Sequence, residues 1–419
     1  MKTPCGFWSH AGHVIEMTER AVNLIGGFIL TASVPTLRIL FVLFPVLSAA
    51  CVAQQAAPSP AQAVPSVSSF TVPARNGTEM SGTVNGQGPF SIFFDSGSGN
   101  VISAHLAKRL GLKPENQIVI NAGEGTLPAQ TAMVDTVKIG SLTMSKQWFA
   151  IIEPPFAKDR DFAVVGDQLL ENLAIRVDFE HQQITFYDES KFIYSGQAEP
   201  IPVHLLKGAV YTEATVDGYT GLFGVDTGDM GSLSLNPLLV IQQQLVQRYG
   251  AKIHGYAQQS WAGAVTGYYT RAGTLKLGNI TVNRPITVLL TGTQGAGATT
   301  QIAGNIGIHI LRQFTVLFDC PHGAMYLEPN SHFGQPDVFN RAGLVPDPDH
   351  FEIKLVVPGS PAESAKLATG DIITQINGSA PTEESLESAF AQPAGTSIQL
   401  TVTHDGKSRP VSLVLKDVL

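Results

Sequence analysis

Two short segments of this 419-residue chain carry residues that could do acid–base chemistry together: Asp95-Ser96-Gly97 and Asp226-Thr227-Gly228, with the aspartates 131 residues apart. Hydrolysing an amide needs a base to activate water and an acid to polarise the carbonyl and later protonate the leaving nitrogen. Two carboxyls held together can supply both, because like charges at close range cannot both ionise comfortably and the pair keeps one proton between them. Such a pair titrates as a unit. Glycine after each aspartate lets the backbone turn tightly and approach its twin, and the Ser96 and Thr227 hydroxyls are placed to hydrogen-bond to the opposite loop.

The elements needed to position these tripeptides recur around both. Ser91-Ile-Phe-Phe and Leu222-Phe-Gly-Val are strand-like and run straight into Asp95 and Asp226. Each is preceded by a hairpin signal, Asn85-Gly86 or Asp217-Gly218, and followed by a helical stretch, residues 104–112 or 237–249. Further on, Val137-Lys-Ile-Gly140 matches Leu275-Lys-Leu-Gly278, and Val164-Val-Gly166 matches Asn305-Ile-Gly307. Gly166 precedes Asp178 by 12 residues, and Gly307 precedes Asp319 by the same 12. One fold has been used twice, over a period suited to a small domain. Asp178 and Asp319 repeat faithfully, but as strand-end carboxylates accepting backbone hydrogen bonds they are assigned to structure.

Duplicated Asp-Ser/Thr-Gly loops, each after an apolar strand and before an apolar-apolar-glycine segment, resemble the retropepsin-like and pepsin-like aspartic peptidases over residues 70–330. The resemblance implies catalytic roles for Asp95 and Asp226, with Ser96, Gly97, Thr227 and Gly228 as their supports. It implies that Gly166 and Gly307 lie beneath the two loops, and that hairpin flaps at residues 120–130 and 258–269 cover a cleft. Two departures stand out. The residue after Asp-Thr-Gly is usually small or a hydroxyl, whereas here it is Asp229, a third carboxylate that either faces the dyad or lies in an exposed loop. Retropepsin-like members usually carry one motif per subunit, whereas both are on this chain, so catalysis is expected of a monomer.

After residue 330 the sequence changes character. Arg341-Ala-Gly-Leu-Val345, Ser360-Pro-Ala362 and Gly370-Asp-Ile-Ile373 resemble a bacterial PDZ domain over residues 335–419. Thr382-Glu-Glu reads as a helix cap, with Leu386 and Phe390 one turn apart, and Ile398, Leu400 and Val402 alternate along a strand. PDZ domains add a peptide as a strand to a sheet edge and hold its terminal carboxylate in backbone amides. The resemblance places that loop near Gly343 and Leu344. Ala365-Lys366-Leu367 departs from the usual Ala-Gly-Leu, a change expected to be tolerated within a helix.

The expected fold is therefore mainly β: two pseudo-symmetric acid-protease-like β-barrel lobes, residues 70–195 and 196–330, and a C-terminal α/β PDZ module. The glycine and proline content, 41 and 26, suits such turn-rich architecture. Ahead of the lobes, residues 54–69 read as a disordered linker rich in Ala, Pro, Gln and Ser. Residues 1–53 read as a signal peptide or membrane anchor: Arg38 precedes an apolar run over residues 39–47 that ends in small residues around Cys51. Ser48-Ala49-Ala50-Cys51 also resembles a bacterial lipoprotein box, so export to the periplasm or cell envelope is expected, with lipidation at Cys51 or an uncleaved anchor left open.

Other chemistries find little support in the residues. Three cysteines form no CxxC pair and no disulfide framework. The eleven histidines are scattered without HExxH spacing, so no metal and no cofactor is expected. A formal charge of −8 without a lysine or arginine run argues against nucleic acid as a partner. Ser98 lacks the glycine two places earlier that a nucleophile elbow needs. The glycines around residues 292–297 lack the lysine of a phosphate loop and read as a mobile surface loop. Two functions remain: an aspartic endopeptidase acting on protein or peptide substrates, with the PDZ module binding peptide tails, or a catalytically silent envelope scaffold that acts through the PDZ groove alone.

Overall fold

The computed structural model describes residues 69–154, 157–292, 294–295, 301–347 and 350–419. The leader, Cys51 and all but the last residue of the linker lie outside the described residues. Among those described, no helix is long and apolar enough to cross a membrane.

The architecture is mainly β, and its repeat is visible hydrogen bond by hydrogen bond. In the first half Glu79–Val84 pairs with Gln87–Phe94 across the Asn85-Gly86 turn, and in the second Ala209–Val216 pairs with Tyr219–Val225 across Asp217-Gly218. All four turn residues have positive φ, between 48° and 90°, which Asn, Asp and Gly adopt at least cost. The Asn85 side chain accepts the Thr136 N–H at 2.9 Å, and Asp217 accepts the Gly273 and Thr274 N–H groups at 2.8 and 2.7 Å. The same tie therefore links the first hairpin of each half to the chain that descends from its flap.

Each strand that leads to a site aspartate is paired in parallel with the apolar-apolar-glycine segment. Gln87–Phe94 pairs with Phe162–Val165, and Tyr219–Val225 with Gly304–Ile306. The halves are knitted by one sheet that runs from Phe70–Pro73 through Gln183–Asp188, Leu173–Asp178, Phe314–Asp319 and Ala324–Pro329 to Ile201–Leu206. Thr315 pairs with Asp178 where the halves join. One core runs through both, with the Phe94 and Phe318 rings meeting edge to face at 5.8 Å across the join. The helix expected over residues 237–249 is two short helices, Pro237–Gln242 and Leu245–Arg248, broken where Gln244 takes a φ of 49°.

The C-terminal module has its own core, including Leu344, Ile353, Leu386, Phe390, Ile398, Leu400 and Val402. Its helix Glu383–Phe390 starts at a reciprocal cap between Thr382 and Ser385. Lys366 lies beyond the helix Pro361–Ser364 rather than inside it, with a φ of 57°. The position demands a left-handed backbone, which explains why glycine suits it, and Lys366 holds that conformation at roughly 1–2 kcal/mol. The module packs on the second half through Leu355, Val357 and Phe339 against Tyr269 and Ile286. A Cβ at Gly255 would sit 2.9 Å from Leu355 Cδ1, and Arg312 Nη1 donates to Glu387 at 2.8 Å.

Candidate active site

Both aspartates sit where a strand ends over a glycine. Asp95 N donates to Val165 O, and Asp226 N donates to Ile306 O, each at 3.0 Å. The chain then turns above Gly166 and Gly307. A Cβ on Gly166 would come within 2.0 Å of Ser98 O and 2.3 Å of Asp95 O, and one on Gly307 within 2.5 Å of Gly231 O. Any side chain at either position would push the loop off its seat. This is the physical reason for the repeated glycine.

The loops grip one another. Ser96 N donates to Thr227 Oγ1 at 3.0 Å and Thr227 N to Ser96 Oγ at 3.0 Å; the hydroxyls in turn donate across to Val225 O at 2.7 Å and Phe94 O at 3.2 Å. Ser96 and Thr227 are fully buried, so these four bonds are shielded from water. The glycines face the opposite carboxyl. A Cβ on Gly97 would lie 2.4 Å from Asp226 Cγ, and one on Gly228 2.4 Å from Asp95 Oδ2. The six residues singled out in the two tripeptides therefore converge on one place, and Asp95 and Asp226 lie within hydrogen-bonding reach of each other.

Each carboxyl is oriented by its own loop. Gly97 N donates to Asp95 Oδ1 at 2.8 Å; Gly228 N and Asp229 N donate to Asp226 Oδ1 at 2.9 and 3.1 Å. Burial raises Asp95 above the ordinary carboxyl range. Burial, followed by the charge of Asp95, pushes Asp226 up to about 7.

Asp229 is not an exposed loop residue. It turns toward the dyad, where burial and then the charge of Asp226 push it up to about 6. Asn305 bridges the two carboxyls: its Nδ2 donates to Asp226 Oδ2 at 2.9 Å and to Asp229 Oδ2 at 2.8 Å. The motifs did not single out Asn305 as a site residue. Its signal lay in the repeat alignment, where a polar residue stands opposite Val164 in an otherwise apolar segment.

A hairpin from each half packs beside the site. Asn116–Ala122 with Gly125–Ile139 forms one, and Ile253–Ser260 with Gly263–Arg271 the other. Their tips meet, since a Cβ on Gly123 would clash with Ser260 and one on Gly125 would touch Ala262. Glu124 at the first tip reaches into the second half, accepting the Thr266 N–H at 3.0 Å and the Gly292 N–H at 3.2 Å. Gly292 and Gly295 are packed against this tip rather than forming a free surface loop; residues 293 and 296–300 lie outside the described residues. Beneath the tips, Phe93, Phe162, Val164, Ile118, Ile120 and Leu127 make an apolar wall, on which Trp261 stacks 6.2 Å from Phe162.

The remaining assigned residues lie elsewhere. Asp178 accepts the His181 N–H at 3.1 Å, and Asp319 pairs with His322 at 2.7 Å, both on the joining sheet. Gly343 and Leu344 are buried in the C-terminal module. The Gly343 N–H is taken by Asn340, its missing Cβ leaves room for Ser360, and the Leu344 side chain belongs to the core. Asn340 Oδ1 also accepts the Ala342 N–H at 3.0 Å, so these two loop amides are already engaged internally. Among the described residues no group of three or more His, Cys, Asp or Glu side chains is placed to hold a metal ion.

Two β-rich halves facing across paired Asp-Ser/Thr-Gly loops define an acid-protease-type fold. Residues 80–174 match the family model for aspartyl protease, and residues 352–403 match that for the PDZ domain. The chain thus carries an aspartyl protease domain followed by a PDZ domain. Among solved structures it is similar to an aspartic proteinase from Irpex lacteus, at 13% identity and a TM-score of 0.43, covering 64% of this chain and 99% of that one. An aminopeptidase N family protein from Idiomarina loihiensis matches at 19% identity and a TM-score of 0.18, over 20% of this chain and 14% of that one. No curated protein matches the chain.

Proposed function

We propose that the protein is an aspartic endopeptidase in which Asp95 and Asp226 share one proton and activate water, with the PDZ domain binding peptide tails of substrates or regulators. The observation that carries this reading is the mutual approach of the two carboxyls, each lying in the space left by the other loop's missing Cβ. In this reaction the ionised carboxyl takes a proton from water as the oxygen attacks the peptide carbonyl. The protonated carboxyl donates to the carbonyl oxygen, and a proton is then returned to the leaving nitrogen. The apolar wall around Phe162 and Trp261 favours an apolar side chain on that side of the scissile bond. We place the protein in the cell envelope, on the strength of the apolar run and small residues before Cys51.

The test is cleavage of a mixed peptide library by the purified protein, with Asp95→Asn and Asp226→Asn as comparisons. Each substitution keeps the side-chain shape and removes a proton carrier, so turnover should fall by roughly 10²- to 10⁴-fold. Undiminished turnover in either variant would overturn the assignment.

A further inference from the structure

Three positions depart from the repeat together. Phe93 pairs with Val164 in the first half, and at the matching register Gly224 pairs with Asn305 in the second. Ser98, three residues after Asp95, corresponds to Asp229, three after Asp226. In the first half Phe93 and Val164 belong to the apolar wall, and the Ser98 hydroxyl donates to the neighbouring Gly99 O. In the second half the same three positions build a polar device. A Cβ on Gly224 would lie 2.1 Å from Asn305 Oδ1, so the amide needs that glycine to fit. With it, Asn305 Nδ2 reaches both Asp226 and Asp229, while Gly231 N holds the other oxygen of Asp229 at 2.8 Å.

We propose that Asn305 and Asp229 are positioning residues for the catalytic pair: the amide fixes one oxygen of Asp226 and ties it to a third carboxyl, so that the two halves of the site hold unequal and fixed roles. A third acidic group beside the pair also disfavours its last ionisation, so the site keeps its proton to higher pH than two carboxyls alone would. Three other ionisable groups lie near these carboxyls. Tyr211, across the strand pair from Gly224, is neutral near neutrality and is pushed further up by burial and by Asp226. His309 is held down by burial, and the charge it carries acts on Asp229 in the opposite direction, lowering it. Asp167 lies beyond Gly99 on the first side and is itself pushed up to about 6 by burial.

This inference rests on the peptidase reading, and its test separates the two. The variants are Asp229→Ser and Asn305→Val, which install the residues of the first half, their double, and Asp229→Asn, which keeps the shape and removes the charge. For a peptide that the parent protein cleaves, Asp229→Ser and Asp229→Asn should both move the alkaline limb of the kcat/KM profile to lower pH, by roughly one unit. Asn305→Val should lower kcat about tenfold with KM within about twofold, and adding Asp229→Ser should cost little more, because the two act through one contact. Coincident alkaline limbs in all variants, or an Asn305→Val effect confined to KM, would overturn the inference while leaving Asp95 and Asp226 as the pair. A direct readout stands apart from turnover: in protein carrying 13C-labelled aspartate carboxyls, the Asp226 resonance, assigned with Asp226→Asn, should titrate at lower pH in Asp229→Asn than in the parent. An unchanged midpoint sinks the proposal even if no cleavable peptide is found, and thermal unfolding of the isosteric variant checks that the fold is retained.

Discussion

Ser96 and Thr227, 131 residues apart in sequence, exchange hydrogen bonds in both directions: the backbone N–H of each donates to the hydroxyl of the other at 3.0 Å. The relationship is local in space and wholly non-local in sequence, and it sets the distance between the two carboxyls. Replacing Ser96 with Ala removes the donor to Val225 O and leaves the Thr227 N–H without its acceptor in a dry interior. An unpaired buried group costs about 1–3 kcal/mol. Ser96→Ala and Thr227→Ala are therefore each expected to lower the melting temperature by several degrees and to cut turnover. Ser98→Ala, which loses only a bond to its neighbour Gly99, serves as the comparison for stability. Equal melting temperatures for Ser96→Ala and Ser98→Ala would show that the grip contributes nothing.

Stability should depend on pH with a definite sign. Burial raises Asp226 to about 7 and Asp229 and Asp167 to about 6, above the value of 3.8 taken for the unfolded chain. Between those limits the folded protein binds more protons than the unfolded one, so stability falls as pH rises from about 4 to about 7 and then levels. Asp178 and Asp217 act in the opposite window. For both, burial pushes upward but hydrogen bonds outweigh it, from His181 and Arg176 to Asp178 and from Gly273, Tyr249 and Thr274 to Asp217. Their support is present above the unfolded value and is lost only in more acidic solution. Thermal unfolding from about pH 4.5 to 8 should show a declining melting temperature that flattens in the Asp226→Asn, Asp229→Asn double variant, with Asp95 and Asp167, both raised by burial, supplying the residual slope. An identical slope in that variant would refute this account.

The hairpin tips are joined by Glu124, whose carboxylate accepts two backbone N–H groups from the second half. A charged acceptor on two amides is among the stronger surface-facing ties available to a loop. Glu124→Ala is expected to raise amide exchange across residues 253–271 by roughly tenfold, the equivalent of about 1.4 kcal/mol of lost local protection. Hydrogen–deuterium exchange followed by mass spectrometry reads this directly, with the joining sheet as an internal reference. Unaltered exchange at Thr266 and Gly292 would mean that Glu124 does not hold the tips.

Much of this arrangement was legible in the residues because it is written in short patterns. Asp-Ser/Thr-Gly after an apolar strand, Asn-Gly and Asp-Gly turns, glycine beneath each loop and the Thr382 cap all depend on a few neighbouring positions, and each formed where expected. Lys366 shows the limit of that kind of reading. Its departure from glycine was visible, but the demand for a left-handed backbone appeared only when the turn after the short helix was in place. Gly343 is similar: resemblance pointed to its amide, while the fold brought Asn340 onto it.

By itself the sequence determined that one β fold is used twice, that each copy ends a buried strand in an acidic tripeptide, and that a separate α/β module follows. Only the tertiary structure decided that Asp229 faces the pair, that Asn305 ties it to Asp226, and that Glu124 joins the hairpins. These contacts span from a few to 168 residues along the chain. The physical reason is register: which face of a strand a side chain takes is fixed by the pairing of Gly224 with Asn305 and by the space that glycine leaves, and no local pattern contains that pairing.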